Sequence, residues 1–265
     1  MTTTVAVVGG SGKTGRVVRA ALTHRGAASF PTGRDDWDAL ARALAPADRL
    51  YLVAPNLHPD EPAYVAAVLE AAHAAGIERV VYHSVAAPHA PAMPHHLAKA
   101  EAEDLVRRSG LGWTVLQPGA YVQNLPLDGS PVRVPYRADV PFGFAHLPDV
   151  GEAAAAVLLG EGHEGATYEL ASFRASVAEV AGVVGAPVEV LTPEAWAAGE
   201  GAGLDARRRT WLLAMFAYYD QHGLPVGTGP ISLLLGGPPT PLRAACSLKG
   251  DPARRTMDRG PEPTR

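Results

Sequence analysis

The chain has 265 residues, of which 47% are hydrophobic and 19% charged, with 28 glycines and 24 prolines. This excludes a disordered chain and allows one large domain or two small ones, with a core that needs no metal or disulfide staple. Lys+Arg 23 against Asp+Glu 27 gives a net charge of −4, which argues against nucleic acid as the main partner, because phosphate binding needs a clustered positive field.

Val5–Val8 is a short apolar run of the kind a strand buried on both faces shows. A Gly-rich turn follows, then a helix over Arg16–His24 with Val17, Val18, Ala21 and Leu22 on one face and Gly26 as its stop. Ala28–Phe30 reads as a second strand, ending near Thr32-Gly33-Arg34. Asp36 is positioned to cap a helix from Trp37 to Leu44. Strands are expected at Leu50–Val53, Arg79–His83 and Trp113–Leu116, with helices at Pro62–Ala75 and His96–Ser109. Parallel strands need helical crossovers, so this repeated βα order predicts a parallel sheet. The short gap between Arg34 and Trp37 implies that one βα unit has been trimmed.

The second half is less regular. Strands are expected at Val132–Val134, Phe144–Leu147, Thr167–Leu170 and Val188–Leu191, and helices at Asp149–Leu159, Ser176–Val184 and Asp205–His222. Thr192-Pro193 is a helix start, a cap followed by Pro at the first helical position. Trp211, Phe216, Tyr218 and Tyr219 form an aromatic stripe that reads as core or pocket wall, and Arg207-Arg208-Arg209 as a solvated helix face. Residues 249–265 read as a disordered tail. The single cysteine, Cys246, excludes an intrachain disulfide and a Cys-rich zinc site. With no apolar run near the ~18 residues of a membrane span and no secretory leader, the chain reads as cytoplasmic, without a membrane partner.

Chemistry enters at Gly9-Gly10-Ser11-Gly12-Lys13-Thr14-Gly15, between a buried strand and a helix. Glycine at 9, 12 and 15 lets the backbone turn tightly and lets a pyrophosphate approach without meeting a Cβ. Ser11, Lys13 and Thr14 fill the turn, and the helix N-terminus adds unpaired N–H groups and a partial positive charge. Gly12-Lys13-Thr14 is not a Walker loop, because Val7 stands where that motif needs a glycine. At the end of the second strand an acid would read a ribose 2′-hydroxyl and an Arg a 2′-phosphate. Arg34 comes first there, which favours NADP(H) over NAD(H). The alternatives are that Arg34 pairs with Asp35 or Asp36, or that an Asp reads a plain ribose.

With these features, Val53-Ala54-Pro55, Val80-Val81-Tyr82-His83-Ser84, His95–Glu103 and Trp113–Asn124 resemble the NmrA-like group of atypical short-chain dehydrogenases/reductases. His146-Leu147-Pro148-Asp149-Val150 and Leu234–Thr240 are similar to later stretches of that group, so the resemblance covers about residues 4–247. It implies an α/β, Rossmann-type doubly wound parallel sheet over residues 1–124 and 143–171, and a smaller α/β substrate lobe over 125–142 and 172–248. It implies NAD(P)(H) binding and a small-molecule substrate, with a homodimer possible. Ala54, Pro55 and Asn56 would line the adenosine-to-ribose path, Ser84 and Val85 would lie beside the nicotinamide, and Lys99 would contact the ribose hydroxyls. Pro118, Gly119, Ala120 and Tyr121 would flank the nicotinamide ring, and Asn124 the substrate mouth.

The family's reductases carry a Tyr four residues before the Lys as proton donor; this chain has His95 there. His95 is then either the acid, since imidazole titrates near pH ~6.5, or a solvated loop residue. Tyr121, Tyr82 and His96 are other candidate donors. Lys99 has a surface pair with Glu103 as its alternative, and His83 reads as a core histidine. The loop Ala86–Pro94 is either a lid or a Pro-stiffened connection. Together these features predict an NAD(P)H-dependent oxidoreductase acting on a small conjugated carbonyl, quinone-like or aromatic acceptor. The alternatives are an NADP(H)-sensing regulator without turnover and a cofactor-retaining isomerase or dehydratase.

Overall fold

The computed structural model describes residues 3–247. The expected tail over 249–265 lies outside them, as does residue 248. The chain opens with β1 (Thr4–Val8), α1 (Lys13–His24) and β2 (Ala28–Thr32). A 3-10 turn over Arg34–Ala39 runs into the short α2 (Leu40–Leu44), followed by β3 (Arg49–Leu52), α3 (Glu61–Ala74), β4 (Arg79–His83), α4 (Pro94–Arg107) and β5 (Gly112–Pro118). Next come β6 (Ala120–Tyr121), β7 (Val132–Val134), β8 (Phe142–Ala145), α5 (Leu147–Leu159), β9 (Ala166–Leu170) and β10 (Phe173–Ala175). The described chain closes with α6 (Val177–Val184), β11 (Val188–Val190), α7 (Pro193–Ala198), α8 (Ala206–His222), α9 (Gly229–Leu235) and α10 (Leu242–Ala245).

Six strands form one parallel sheet in the order β2-β1-β3-β4-β5-β9. Alternation along β1 divides its side chains between two cores. Val5 and Val7 join α1, α5 and α9 on one face, and Ala6 and Val8 join α2, α3 and α4 on the other. The α/β class and the Rossmann-type sheet expected from the sequence are therefore what the chain forms. On the first face, Gly151 brings α5 against α1, since a Cβ there would lie 2.9 Å from the Val17 carbonyl oxygen. Two of the later motif stretches meet across that face: the Thr240 N–H and hydroxyl donate to the Asp149 carboxylate at 2.9 and 2.7 Å.

A second, three-stranded sheet in the order β10-β8-β6 and the parallel pair β11-β7 build the remaining core. Phe142, Phe144 and Phe173 pack there with Tyr136 and Tyr219. Ala86 and Met93, at the two ends of the expected lid, are fully buried in this core, and none of residues 86–94 lines the large cleft.

Several boundaries differ from the sequence expectation for identifiable reasons. The helix expected over Trp37–Leu44 is split. Asp36 accepts from the Gly33 N–H at 2.9 Å, which tightens the first turn, and Trp37 leaves the helix line to stack on Tyr64 at 4.7 Å. β5 does not stop before Pro118, because only that residue's carbonyl is used, accepting from the Ala86 N–H at 2.9 Å. The strand expected over Phe144–Leu147 sits two residues earlier, because Leu147-Pro148 begins α5. The strands β6 and β10 and the helices α9 and α10 are additions to the sequence reading.

Gly119, between β5 and β6, and Gly143 of β8 lie so close that a Cβ on Gly119 would overlap the Gly143 carbonyl oxygen. A Cβ on Gly143 would stand 2.5 Å from the Val226 Cβ and 2.8 Å from its backbone nitrogen. Gly143→Ala must push backbone aside, and is expected to cost about 1–3 kcal/mol. A urea titration checks this: the midpoint falls while the slope is unchanged.

Candidate active site

The C-terminal ends of β1, β3, β4 and β5 open into one cleft of about 1740 Å³. It lies where the strand order turns, with β2 reached on one side of β1 and β3 on the other. Ligands of open parallel sheets bind at such switch points. A drug-sized pocket measures roughly 300–1,000 Å³, so this cleft has room for two molecules side by side.

Its floor is the Gly-rich turn. Gly9 has φ +78°, a conformation that favours glycine, and a Cβ there would lie 2.6 Å from the Val53 carbonyl oxygen. Gly15 lets the first turn of α1 settle on the loop, since its Cβ would lie 2.4 Å from the Gly9 carbonyl oxygen. Gly12 is the N-cap of α1 and supplies no side-chain cap, so the N-terminal end of the helix opens on the cleft. Gly9, Ser11, Gly12, Lys13, Thr14 and Gly15 all line the cleft. The uncapped helix, the glycine cradle and the cleft beyond it fit a dinucleotide diphosphate. Lys13 closes the loop, its ammonium donating to the Gln123 carbonyl and to Asn124 Oδ1, both at 3.2 Å.

Beyond the turn, Arg34 lies exposed on the cleft wall and makes no ion pair with Asp35 or Asp36 among the described residues. Trp37, Tyr64 and His58 form an aromatic shelf beside it, with ring centroids 4.7 and 5.1 Å apart. Ala54, Pro55 and Asn56 line the next stretch, then Ser84 and Val85, then Pro118, Gly119, Ala120, Tyr121 and Asn124. The cleft ends in an aromatic chamber of Tyr136, Phe142, Phe144, Trp196, Phe216 and Tyr219. Two members of the expected aromatic stripe, Phe216 and Tyr219, are thus chamber wall. The arginine run is not simply solvated: Arg207 donates to the Leu57 carbonyl at 3.0 Å and covers the Trp211 ring at 4.5 Å, and Arg208 lines the cleft.

The wall between shelf and chamber is a buried polar system. Lys99 does not pair with Glu103; its ammonium donates to Glu61 Oε1 at 2.7 Å, where the Tyr82 hydroxyl also donates at 2.6 Å. Tyr82 is thereby committed to the carboxylate rather than to a substrate. Glu103 instead accepts from Ser84 at 2.5 Å, Gln117 at 2.7 Å and Arg107 at 2.8 Å. Each buried carboxylate thus has a cation, as its desolvation requires.

His95 is not a loop residue. It sits in the first turn of α4, buried, with its ring stacked on Trp211 at 6.2 Å. Burial, then the nearby Lys99, His96 and Arg207 charges, lower its pKa to about 3. It is therefore neutral near pH 7, and the expected imidazolium acid is absent. Burial also lowers His96, to about 4, while its Nδ1 donates to the Ala86 and Ala87 carbonyls at 3.1 and 3.3 Å. His83 is a bonded core histidine as expected, but it also reaches the cleft wall between Tyr51 and Tyr121. Sequence reading missed Glu61, which looks like an ordinary first-turn acid after Asp60, and the shelf and chamber, whose rings come from separate elements.

No helix among the described residues is long and apolar enough to cross a membrane. Residues 32–159 match the NAD(P)H-binding family. An NAD(P)H azoreductase of Xenophilus azovorans is 32% identical over 155 residues, 56% of this chain and 54% of that protein. A (4-alkanoyl-5-oxo-2,5-dihydrofuran-3-yl)methyl phosphate reductase of Streptomyces griseus is 32% identical over 196 residues, 68% of this chain and 64% of that one. The chain thus spans about half to two thirds of these curated relatives. In fold it is similar to an NADPH-dependent quinone oxidoreductase of Escherichia coli complexed with NADPH, with a TM-score of 0.76 and 23% identity over 91% of this chain and 98% of that one. The segment 32–159 is thus similar to the NAD(P)H-binding family, and the whole described chain shares the fold of that quinone oxidoreductase.

Proposed function

We propose that the chain is an NAD(P)H-dependent oxidoreductase that reduces a small conjugated carbonyl, quinone-like or aromatic acceptor and prefers NADP(H). One observation carries this reading: an uncapped helix N-terminus in a glycine cradle opens, within a single cleft, into an aromatic chamber. The relatives named as azoreductase and reductase support it.

In this reading the amides of α1 and the turn Gly9–Gly15 hold the diphosphate, and Arg34 holds the 2′-phosphate. The shelf of Trp37 and Tyr64 takes the adenine, and Ala54, Pro55 and Asn56 line the path inward. Lys99, fixed by Glu61, presents its remaining N–H groups to the ribose hydroxyls. Ser84, Val85, Pro118, Gly119 and Ala120 shape the slot for the nicotinamide ring, which supplies a hydride when bound. Aromatic walls hold the acceptor flat and keep water from it. Tyr121 donates the accompanying proton in place of His95, and its hydroxyl is neutral because burial raises its pKa. His95 packs the wall between Lys99 and Trp211.

Two measurements test the reading. At Gly12 a Cβ meets only the Gly9 carbonyl oxygen, at 3.2 Å, a tight contact that the loop relieves by moving a few tenths of an ångström. Gly12→Val is expected to lower the urea midpoint only slightly and to lose coenzyme affinity by at least ~10-fold, as a lost charged hydrogen bond would. Fluorescence titration that finds unchanged affinity would refute the cradle. Arg34→Ala is expected to weaken NADPH by roughly 10- to 100-fold, the range for a hydrogen bond to a charged group, and to leave NADH nearly unchanged. Equal losses for both coenzymes would mean that another residue reads the phosphate.

A further inference from the structure

Three buried or half-buried rings run in line from the core to the cleft wall. The Tyr51 hydroxyl lies 2.6 Å from His83 Nδ1, and the Tyr121 hydroxyl lies 3.0 Å from His83 Nε2. Tyr51 is fully buried on β3, His83 closes β4, and Tyr121 ends β6 on the cleft wall. Two neighbouring strands of the parallel sheet and one of the second sheet thus deliver one hydrogen-bonded row that ends on the cleft wall.

Only one arrangement of protons satisfies this row. If both hydroxyls accepted, the ring would be an imidazolium, and burial and the Lys99 charge lower the His83 pKa to about 3. If both donated, the ring would be an imidazolate, which neutral water does not sustain. If Nδ1–H donated to Tyr51, the Tyr51 proton would be left in an apolar core with no second partner among the described contacts. What remains is Tyr51 donating to Nδ1 and Nε2–H donating to the Tyr121 oxygen. The Thr14 side chain also favours negative charge on that oxygen. The proton of Tyr121 is then turned toward the cleft.

We propose that Tyr51 is a positioning residue: by fixing the tautomer of His83 it aims the Tyr121 hydroxyl at the bound acceptor. This rests on the reductase reading above. The acceptor gains a hydride from the coenzyme and a proton from Tyr121, the O–H bond of Tyr121 breaking as the new bond to the acceptor forms. The phenolate left behind is held by His83 Nε2–H and Thr14, and a proton from water restores it after the product leaves. Without Tyr51, neither tautomer of His83 is preferred, and Tyr121 donates to Nε2 for part of the time.

The test uses the full chain and has two readouts. In wild-type protein without coenzyme, the ¹⁵N resonances of His83 are expected to show a bare, pyridine-like Nδ1 and a protonated, pyrrole-like Nε2. In Tyr51→Phe the two shifts converge. With NADPH and a panel of quinones, enones and azo dyes, Tyr51→Phe is expected to lower kcat about tenfold, with coenzyme affinity and acceptor KM nearly unchanged. Tyr168→Phe, which removes a similar hydroxyl bonded to His163 at 2.9 Å outside the cleft, should change neither. A wild-type spectrum with Nδ1 protonated overturns the assignment whether or not turnover is found. So does a Tyr51→Phe variant with unaltered kcat. A wild type that binds NADPH but reduces nothing overturns the reductase reading, and the catalytic use of the row with it.

Discussion

The close approach of β1 and β3 at their C-terminal ends governs the rest of the cleft. Gly9 lies so near the Val53 carbonyl that a side chain there would overlap it, and Gly15 lies equally near Gly9. These contacts let α1 begin immediately behind the sheet edge. Gly12 at the helix start supplies no side-chain cap, so the positive end of α1 opens directly on the cleft. A residue with a Cβ at Gly9 or Gly15 would separate strand from helix and close the anion site in one step.

Deeper in, the molecule accepts a cost that most cores avoid. Glu61 and Glu103 are nearly solvent-free, on two helices packed against one face of the sheet. Each is offset by a cation and by hydroxyl or amide donors, and each arrangement reaches the cleft through one member: Lys99 for Glu61, Ser84 for Glu103. Buried ion pairs of this kind contribute little net stability. Their effect here is geometric, because the ammonium and the hydroxyl at the wall have few other positions to occupy.

The first half of the fold was legible because its signals are local. Buried apolar runs such as Val5–Val8, helix stops such as Gly26 and the Gly-rich turn each depend on neighbours in sequence. The stretches Ala54–Asn56 and Pro118–Tyr121, expected from the family resemblance rather than from local signals, line the same cleft as the Gly-rich turn. What escaped depends on distant partners. Lys99 has a plausible partner one helical turn away in Glu103, and nothing local shows that Glu61 takes its place. His95 looked like an accessible acid until Trp211, more than a hundred residues away, was seen to cover it. Trp37 left its expected helix for the ring of Tyr64, a contact that no periodicity encodes.

The outer strand of the parallel sheet has a consequence of its own. The Thr32 carbonyl accepts from the Gly9 N–H at 3.0 Å, so in β2 residue 32 faces inward and Pro31 presents its backbone to the open side. A proline there has no N–H to offer an incoming chain. The shortened connection after Arg34 leaves this margin uncovered by any further strand, yet the margin is a poor template for accretion. Self-association through a continuous intermolecular sheet is thereby disfavoured on this flank.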